Sequence, residues 1–145
     1  MQQYIGTKLI NAKPMNRLEY NVFRGWALPL DENGTDEGYL VEYLDGGKPN
    51  TDSHKGYVSW SPKEQFDNAY KESGNLSFGD AIVYMKAGYK VKLPYWSEDV
   101  FIAIQTPTEL SKMTAPYLYV TSRFGLVPWN PTQIEILSAN WEIAL

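Results

Sequence analysis

The stretch from Gly125 to Trp141, G-L-V-P-W-N-P-T-Q-I-E-I-L-S-A-N-W, constrains the fold more than any other part of the chain. Val127 and Trp129 share one side under period-two alternation, so the stretch opens as a strand end. Asn130 then reads as a helix N-cap, Pro131 as the first helical residue and Gln133 as the third, from which a side chain can reach back to the cap. Ile134 and Leu137, three apart, are expected to form the helix's apolar face. Trp141 opens a further strand. The same grammar occurs at Gly56 to Glu64, with Ser61 expected as cap and Pro62 as first helical residue. The shared pattern, G-x-V-x-W-x-P, predicts that the chain uses one strand-to-helix junction twice.

Around these junctions the periodicities alternate. Short strands are expected at 8–12, 39–43, 57–60, 89–93, 100–104, 117–122, 126–129 and 141–144. Helices are expected at 16–23 (Leu18, Val22 and Phe23 inward), at 62–70, and at 77–87. The last of these carries a Ser77/Asp80 cap signature and a Phe78, Ala81, Ile82, Met85 stripe. The polar run Lys71 to Asn75 is the best boundary. The reading is therefore an α+β fold of small antiparallel sheets with short capped helices, in two small modules, 1–72 and 76–145. A sheet of this size with helices on one face buries a thin core, so help from another subunit is expected.

Composition excludes several function classes. A net charge of -4 argues against binding a nucleic-acid polymer through its phosphates. With no cysteine, disulfides, thiolate metal sites and cysteine nucleophiles are absent. The single histidine, His54, makes histidine triads and multi-histidine metal sites improbable. There is no G-x-S-x-G, P-loop or dinucleotide fingerprint. Asp31, Glu32, Asp36 and Glu37 match no calcium loop and read as a solvated acidic segment. No membrane span and no signal peptide are expected. The chain is expected not to be an enzyme: it has no catalytic residues, metal or cofactor to name.

Ligand binding is better supplied. Tyrosine and tryptophan are abundant, eleven and five, and aromatic faces serve cores, interfaces and base stacking. Tyr95 and Trp96 lie at a turn, Lys92 on an outward strand face, Arg123 at a hairpin tip, and Tyr117 and Tyr119 on one strand face. Trp129, Asn130 and Thr132 stand at a helix N-terminus, a natural place for an anion. Such a set would suit a nucleotide with phosphates. Trp129 and Trp141 also suit a small core, Lys90 and Lys92 a solvated face, and Tyr95 and Trp96 a subunit interface.

From Leu76 to Leu145 the chain resembles a phage family. The motifs are L-S-F-G-D-A-I-x-x-M-K-A-G-Y-K-V at 76–91, Trp96, M-T-A-P-Y-L-Y-V at 113–120 and V-P-W-N-P-T-Q-I-E-I-L-S-A-N-W-E-I at 127–143. Together they are similar to the Thoeris anti-defence proteins of the second type. The resemblance implies a phage protein acting in the host bacterial cytoplasm during infection. It implies binding and sequestration of a cyclic ADP-ribose isomer such as glycocyclic ADP-ribose, without degradation, so that the Thoeris effector is not activated. It also implies a homo-oligomer, tetrameric or larger. A sponge for the cyclic di- or trinucleotides of CBASS-type defence and a non-enzymatic protein-interaction module are the alternatives. Residues 1–70 resemble a separate small phage module with no activity attached. The turn L-P-Y-W-S-E-D at 93–99 departs from the basic tryptophan turn of many relatives.

Overall fold

A computed structural model describes all of residues 1–145. It contains two compact units, Met1–Tyr70 and Lys71–Leu145, with small antiparallel sheets and short helices of an α+β fold.

In the first unit, β1 (Ile10–Pro14), β2 (Gly38–Tyr43) and β3 (Val58–Pro62) form a sheet in that order. Helix α1 (Arg17–Arg24) starts at Asn16, whose side chain accepts from the Glu19 N–H at 2.8 Å while Glu19 accepts from the Asn16 N–H. Gly25 ends it in the left-handed region at φ 70°, where glycine carries no Cβ penalty. Of the three residues expected on the helix's inner face, Phe23 is there and Leu18 and Val22 are not. Tyr20 is buried and Phe23 packs with Leu40 and Val58, whereas Leu18 and Val22 are exposed, Val22 at 69%. The sheet selects large aromatics for that face, and Arg17 turns inward to lie 4.3 Å from the Trp60 ring. On the sheet's other face Phe66, from α2 (Lys63–Ala69), stacks on Tyr39 at 3.9 Å. The first strand begins two residues later than expected.

The Ser61 cap is not formed. Ser61 stays in the ladder opposite Tyr39, and Pro62 opposite Gly38, so the strand runs directly into α2. That helix has Pro62 at its N-cap position and no side-chain cap. Gly38 is required here because a Cβ would collide with the Trp60 ring and the Ser61 carbonyl.

In the second unit, β4 (Lys90–Lys92), β5 (Phe101–Gln105), β6 (Tyr117–Ser122), β7 (Gly125–Pro128) and β8 (Glu142–Ala144) form a sheet in the order β7-β6-β5-β4-β8. Helix α3 (Phe78–Lys86) has the expected box. The Ser77 hydroxyl accepts from the Asp80 N–H at 3.1 Å, and Asp80 accepts from the Ser77 N–H at 2.9 Å. Its Ala81 and Met85 join Leu76, Val91, Leu93, Ile102 and Trp141 in the core, with Phe78 and Ile82 packed against them. The turn between β6 and β7 needs Gly125, at φ 117°. Pro128 fits the edge strand β7 because its missing donor is on the outward side.

The second junction also departs from expectation. The ladder extends past β7, since the Trp129 N–H donates to the Leu118 carbonyl at 2.9 Å. Asn130 and Pro131 then form the exit, and the cap falls on Thr132 rather than Asn130. Thr132 Oγ1 accepts from the Glu135 N–H at 3.2 Å and Glu135 accepts from the Thr132 N–H at 2.8 Å. The resulting helix α4 (Gln133–Ile136) is one turn long. Ile134 and Leu137 do not face the core; they are 79% and 78% exposed. Glu135 and Ile136 turn inward instead, and the Glu135 carbonyl accepts from the Trp141 indole N–H at 3.0 Å.

Candidate functional site

The register of the second sheet sorts its side chains. Val91 pairs with Ile102 and Ile102 with Val120, and all three lie toward α3 in or against the core. Successive strand residues alternate faces, so Lys90, Lys92, Phe101, Ala103, Tyr117, Tyr119 and Thr121 share the opposite face. Helix α3 packs on β4, β5 and β8 from the core side, and α4 attaches to that same side through Trp141. Within the second unit, α3 and α4 both lie on the core side and leave the opposite face to the strands.

That open face is aromatic and cationic. Lys90 Nζ lies 4.4 Å from the centre of the Phe101 ring, a cation–π contact. Ala103 pairs with Tyr119, and Gln105 with Tyr117. Ala103 is buried. The register sets the methyl group of Ala103 beside the longer side chains of Phe101, Tyr117 and Tyr119, so by side-chain length the face is lowest there, a shallow groove between rings. Its rim carries Lys90 and Lys92, neither of which has a salt-bridge partner. Flat rings beside unpaired ammonium groups can stack a base and meet a phosphate.

One end of the face is closed by two turns. The Arg123 N–H donates to Asp99 Oδ2 at 3.1 Å, tying the 94–99 turn to the β6–β7 hairpin tip. Lys92 Nζ reaches the Ser97 carbonyl at 3.5 Å. The acidic turn therefore spends Asp99 on a main-chain latch, leaving the Arg123 guanidinium outward at 4.8 Å from the Phe124 ring. Tyr95 is exposed at this turn.

The remaining sequence-predicted residues lie elsewhere. Trp96 and Trp129 belong to the α3 side. With Trp141 they make three mutual edge-to-face contacts, at 5.5 Å for Trp96–Trp141, 6.0 Å for Trp129–Trp141 and 6.1 Å for Trp96–Trp129. Phe78 packs on Trp129 and Trp141 at 6.0 and 5.4 Å. Trp96 is thus not an exposed turn residue; it is half-buried against the core. Asn130 is exposed at the strand exit. The Thr132 hydroxyl accepts from the Glu135 N–H, and the Glu135 carboxylate accepts from the Thr132 N–H, so a carboxylate already stands at the start of α4. That carboxylate occupies the place where an incoming anion would otherwise be drawn.

The structure therefore brings Lys92, Tyr117 and Tyr119 together, sets Arg123 and Tyr95 at the end of their face, and separates Trp96, Trp129, Asn130 and Thr132 from them. Lys90, which the sequence offers only as a solvated face, completes the groove with Phe101 and Ala103, which the sequence reading leaves out. The signal that could have found them is the alternation of K-V-K and F-I-A-I, whose residues 90, 92, 101 and 103 fall on one face once the strands pair.

The first unit has a cleft of about 140 Å³ lined by Asn11, Ala12, Lys13, Leu40, Glu42 and His54. Glu42 Oε1 accepts from the Lys55 and Gly56 N–H groups, each at 3.1 Å. The Gly56 N–H, opposed by partial desolvation and helped by the Asn11 side chain, His54 and the Lys55 N–H, holds this carboxyl below its ordinary value. Nowhere in the chain do three or more histidine, cysteine or acidic side chains gather as a metal site. No helix is long and apolar enough to cross a membrane.

By its fold, the second unit is a small helix-backed sheet domain whose other sheet face carries aromatic and cationic side chains. Residues 76–144 match the family model Tad2-like, the Thoeris anti-defense 2-like domain. The match spans nearly all of the second unit and supports an anti-defence role for it. No curated protein matches the chain.

Proposed function

We propose that the second unit binds a cyclic ADP-ribose-type immune signal, glycocyclic ADP-ribose in the first instance, and sequesters it unchanged. The observation that carries this reading is the open sheet face, where Tyr117, Tyr119 and Phe101 flank Ala103 and two lysines without a salt-bridge partner rim the groove. An adenine would lie against the tyrosine rings, gaining about 1–3 kcal/mol per stacked base. The pyrophosphate would meet Lys92 and Lys90, with Arg123 at the closed end, through charge-assisted hydrogen bonds. No nucleophile, general base or metal is called for, since sequestration needs only affinity and enough protein.

The groove is shallow, so a bound nucleotide would keep one side exposed in a single chain. A second subunit over it would remove that side from water, which supports the homo-oligomer of the family resemblance. Exposed Phe124, Leu126, Ile134 and Leu137 supply apolar surface for such an assembly.

Calorimetry of the full chain with cyclic ADP-ribose isomers and with cyclic di- and trinucleotides tests the reading. Saturable binding of an ADP-ribose isomer, with the ligand recovered intact after heat denaturation, is expected. Binding only of cyclic oligonucleotides would move the protein to a CBASS-type sponge. No heat with any of them at micromolar protein would remove the reading and leave a protein-interaction module. Recovery of a cleaved ligand would make it an enzyme.

A further inference from the structure

The sheet edges of this protein are not treated alike. An edge strand exposes N–H and C=O groups that another strand can pair with, and natural proteins cover them. Alternate residues of an antiparallel strand direct these groups outward. On β3 the inward residues follow from the Tyr43 N–H bonding the Tyr57 carbonyl, so Val58, Trp60 and Pro62 are outward. The Asn50 side chain takes both groups of Val58, donating to its carbonyl and accepting from its N–H, each at 2.8 Å. Pro62 has no donor. On β8 the outward Ile143 N–H donates to Ser73 Oγ at 3.0 Å. On β7 the outward residues are Leu126 and Pro128, and Pro128 again has no donor. Each of these edges keeps at most one residue with both groups free.

Strand β1 differs. The Met15 N–H bonds the Gly38 carbonyl, so Asn11 and Lys13 pair inward with Glu42 and Leu40, and Ile10 and Ala12 direct both groups outward. Neither residue's backbone has any other partner. The strand is exposed from Asn11 to Pro14. Ile10 and Ala12, alternate residues of one extended strand, thus offer two N–H and two C=O groups to a pairing strand.

We propose that β1 is a self-association edge, pairing antiparallel with β1 of a second copy of this chain about a two-fold axis at Asn11. That register is self-complementary, as a two-fold interface requires. Ile10 meets the partner's Ala12, and Asn11 meets the partner's Asn11. Lys13 falls opposite the partner's Leu9, and Lys8 opposite the partner's Pro14, so no lysine faces a lysine. Lys8 is already neutralised by Asp45 at 3.2 Å. The Asn11 side chains, at the axis, lie beside the Glu42–His54 cleft. The outward groups of Ile10 and Ala12 are all used, which joins two three-stranded sheets into one. Pro14 ends the ladder, so the contact is short and the association concentration-dependent. This inference does not rest on the nucleotide-binding reading, because every residue involved lies in the first unit.

Amide exchange of the full chain across a dilution series tests it. The Ile10 and Ala12 amides are expected to exchange slowly at high concentration and rapidly on dilution. Ala12→Pro removes one outward donor at a position where an edge strand tolerates proline. It should weaken the self-association that protects the Ile10 amide by about tenfold or more, equivalent to about 1.4 kcal/mol. Asn11→Lys, which places like charges directly opposite at the axis, should do the same without touching the backbone. Rapid exchange of both amides at every concentration would overturn the proposal, even if the chain is oligomeric through its second unit. So would protection that is independent of concentration or unaltered in both variants.

Discussion

The junctions at Trp60 and Trp129 share seven-residue spelling and little else. Trp60 is held one ring at a time: its indole N–H donates to the Met15 carbonyl at 2.7 Å, Arg17 lies over one face, and Gly38 lies against it. Trp129 is held by other aromatics, Trp96, Trp141 and Phe78. After Trp60 the ladder continues to Pro62 and an uncapped seven-residue helix follows. After Trp129 the chain leaves the sheet and builds a capped single turn. A G-x-V-x-W-x-P pattern therefore specifies a strand, a tryptophan and an exit, while the partner strand decides what the exit becomes. The contrast also divides the molecule by purpose. In the second unit, all three tryptophans gather on one side of the sheet, which frees the other side for Lys90, Lys92 and the tyrosines.

If that contrast is right, the two units respond differently to loss of their aromatics. The largest effect is expected for Trp141→Ala. Trp141 is fully buried, touches the other two tryptophans and closes α4 through its indole. A loss of about 3–5 kcal/mol, read by urea denaturation, follows from the cavity and the lost transfer energy. Equal stability of the variant would mean that the tryptophan cluster is not the core of this unit.

Next in size is Gly38→Ala. The new methyl group would be driven into the Trp60 ring and the Ser61 carbonyl, so overpacking should cost about 1–3 kcal/mol. No equivalent exists at the second junction, where Gly125 has open space about it and is set by its φ alone. Arg17→Met should cost about 1–2 kcal/mol, from one cation–π contact and half-exposed ion pairs to Glu32 at 3.1 Å and Asp36 at 4.0 Å. Half of that loss should disappear at high salt, because only the ion pairs are screened.

Thr132→Ala should have the smallest stability effect, about 0.5–1 kcal/mol by thermal denaturation, as the cap serves one turn. Asn130→Ala should be near neutral. The reverse ranking would restore Asn130 as the cap.

A last distinction is in pH. Glu42 in the first unit has a depressed pKa, so the contacts it makes are complete above its ordinary value of 4.5 and are lost as pH falls through the lower folded value. The amide proton shifts of Lys55 and Gly56 should therefore titrate together below pH 4.5. A midpoint at or above that value would mean that the carboxylate does not hold this loop.

Much of this was legible because local rules and tertiary packing agreed. Helix α3 is an example: its Ser77 cap, Asp80 partner and Ala81/Met85 stripe are all used as written. The face shared by Tyr117 and Tyr119 followed from alternation alone. The misreadings lie where two local solutions compete. Asn130 and Thr132 can both cap, but Thr132 has a glutamate three residues on, and the Trp129–Leu118 bond keeps the strand intact past the point where Asn130 would begin a helix. Leu18 and Val22 fit a helical stripe with Phe23, yet only Phe23 faces the sheet, and Tyr20 takes the buried place beside Leu40 and Val58. Trp96 lies in a turn by sequence, and only the fold brings that turn over Trp141. The groove itself needed the register: Lys90, Phe101 and Ala103 are far apart in the chain and become neighbours only when β4 and β5 pair.

The central claim is that the open face of the second sheet, and not the tryptophan cluster behind it, receives the nucleotide. Mapping amide shifts of the full chain during titration with glycocyclic ADP-ribose tests it most directly. Changes centred on Lys90, Lys92, Phe101, Ala103, Tyr117 and Tyr119, lost in Tyr119→Ala with the fold retained, are the predicted result. Saturating binding whose changes centre on Trp96, Trp129 and α4, or on the first unit, would contradict it.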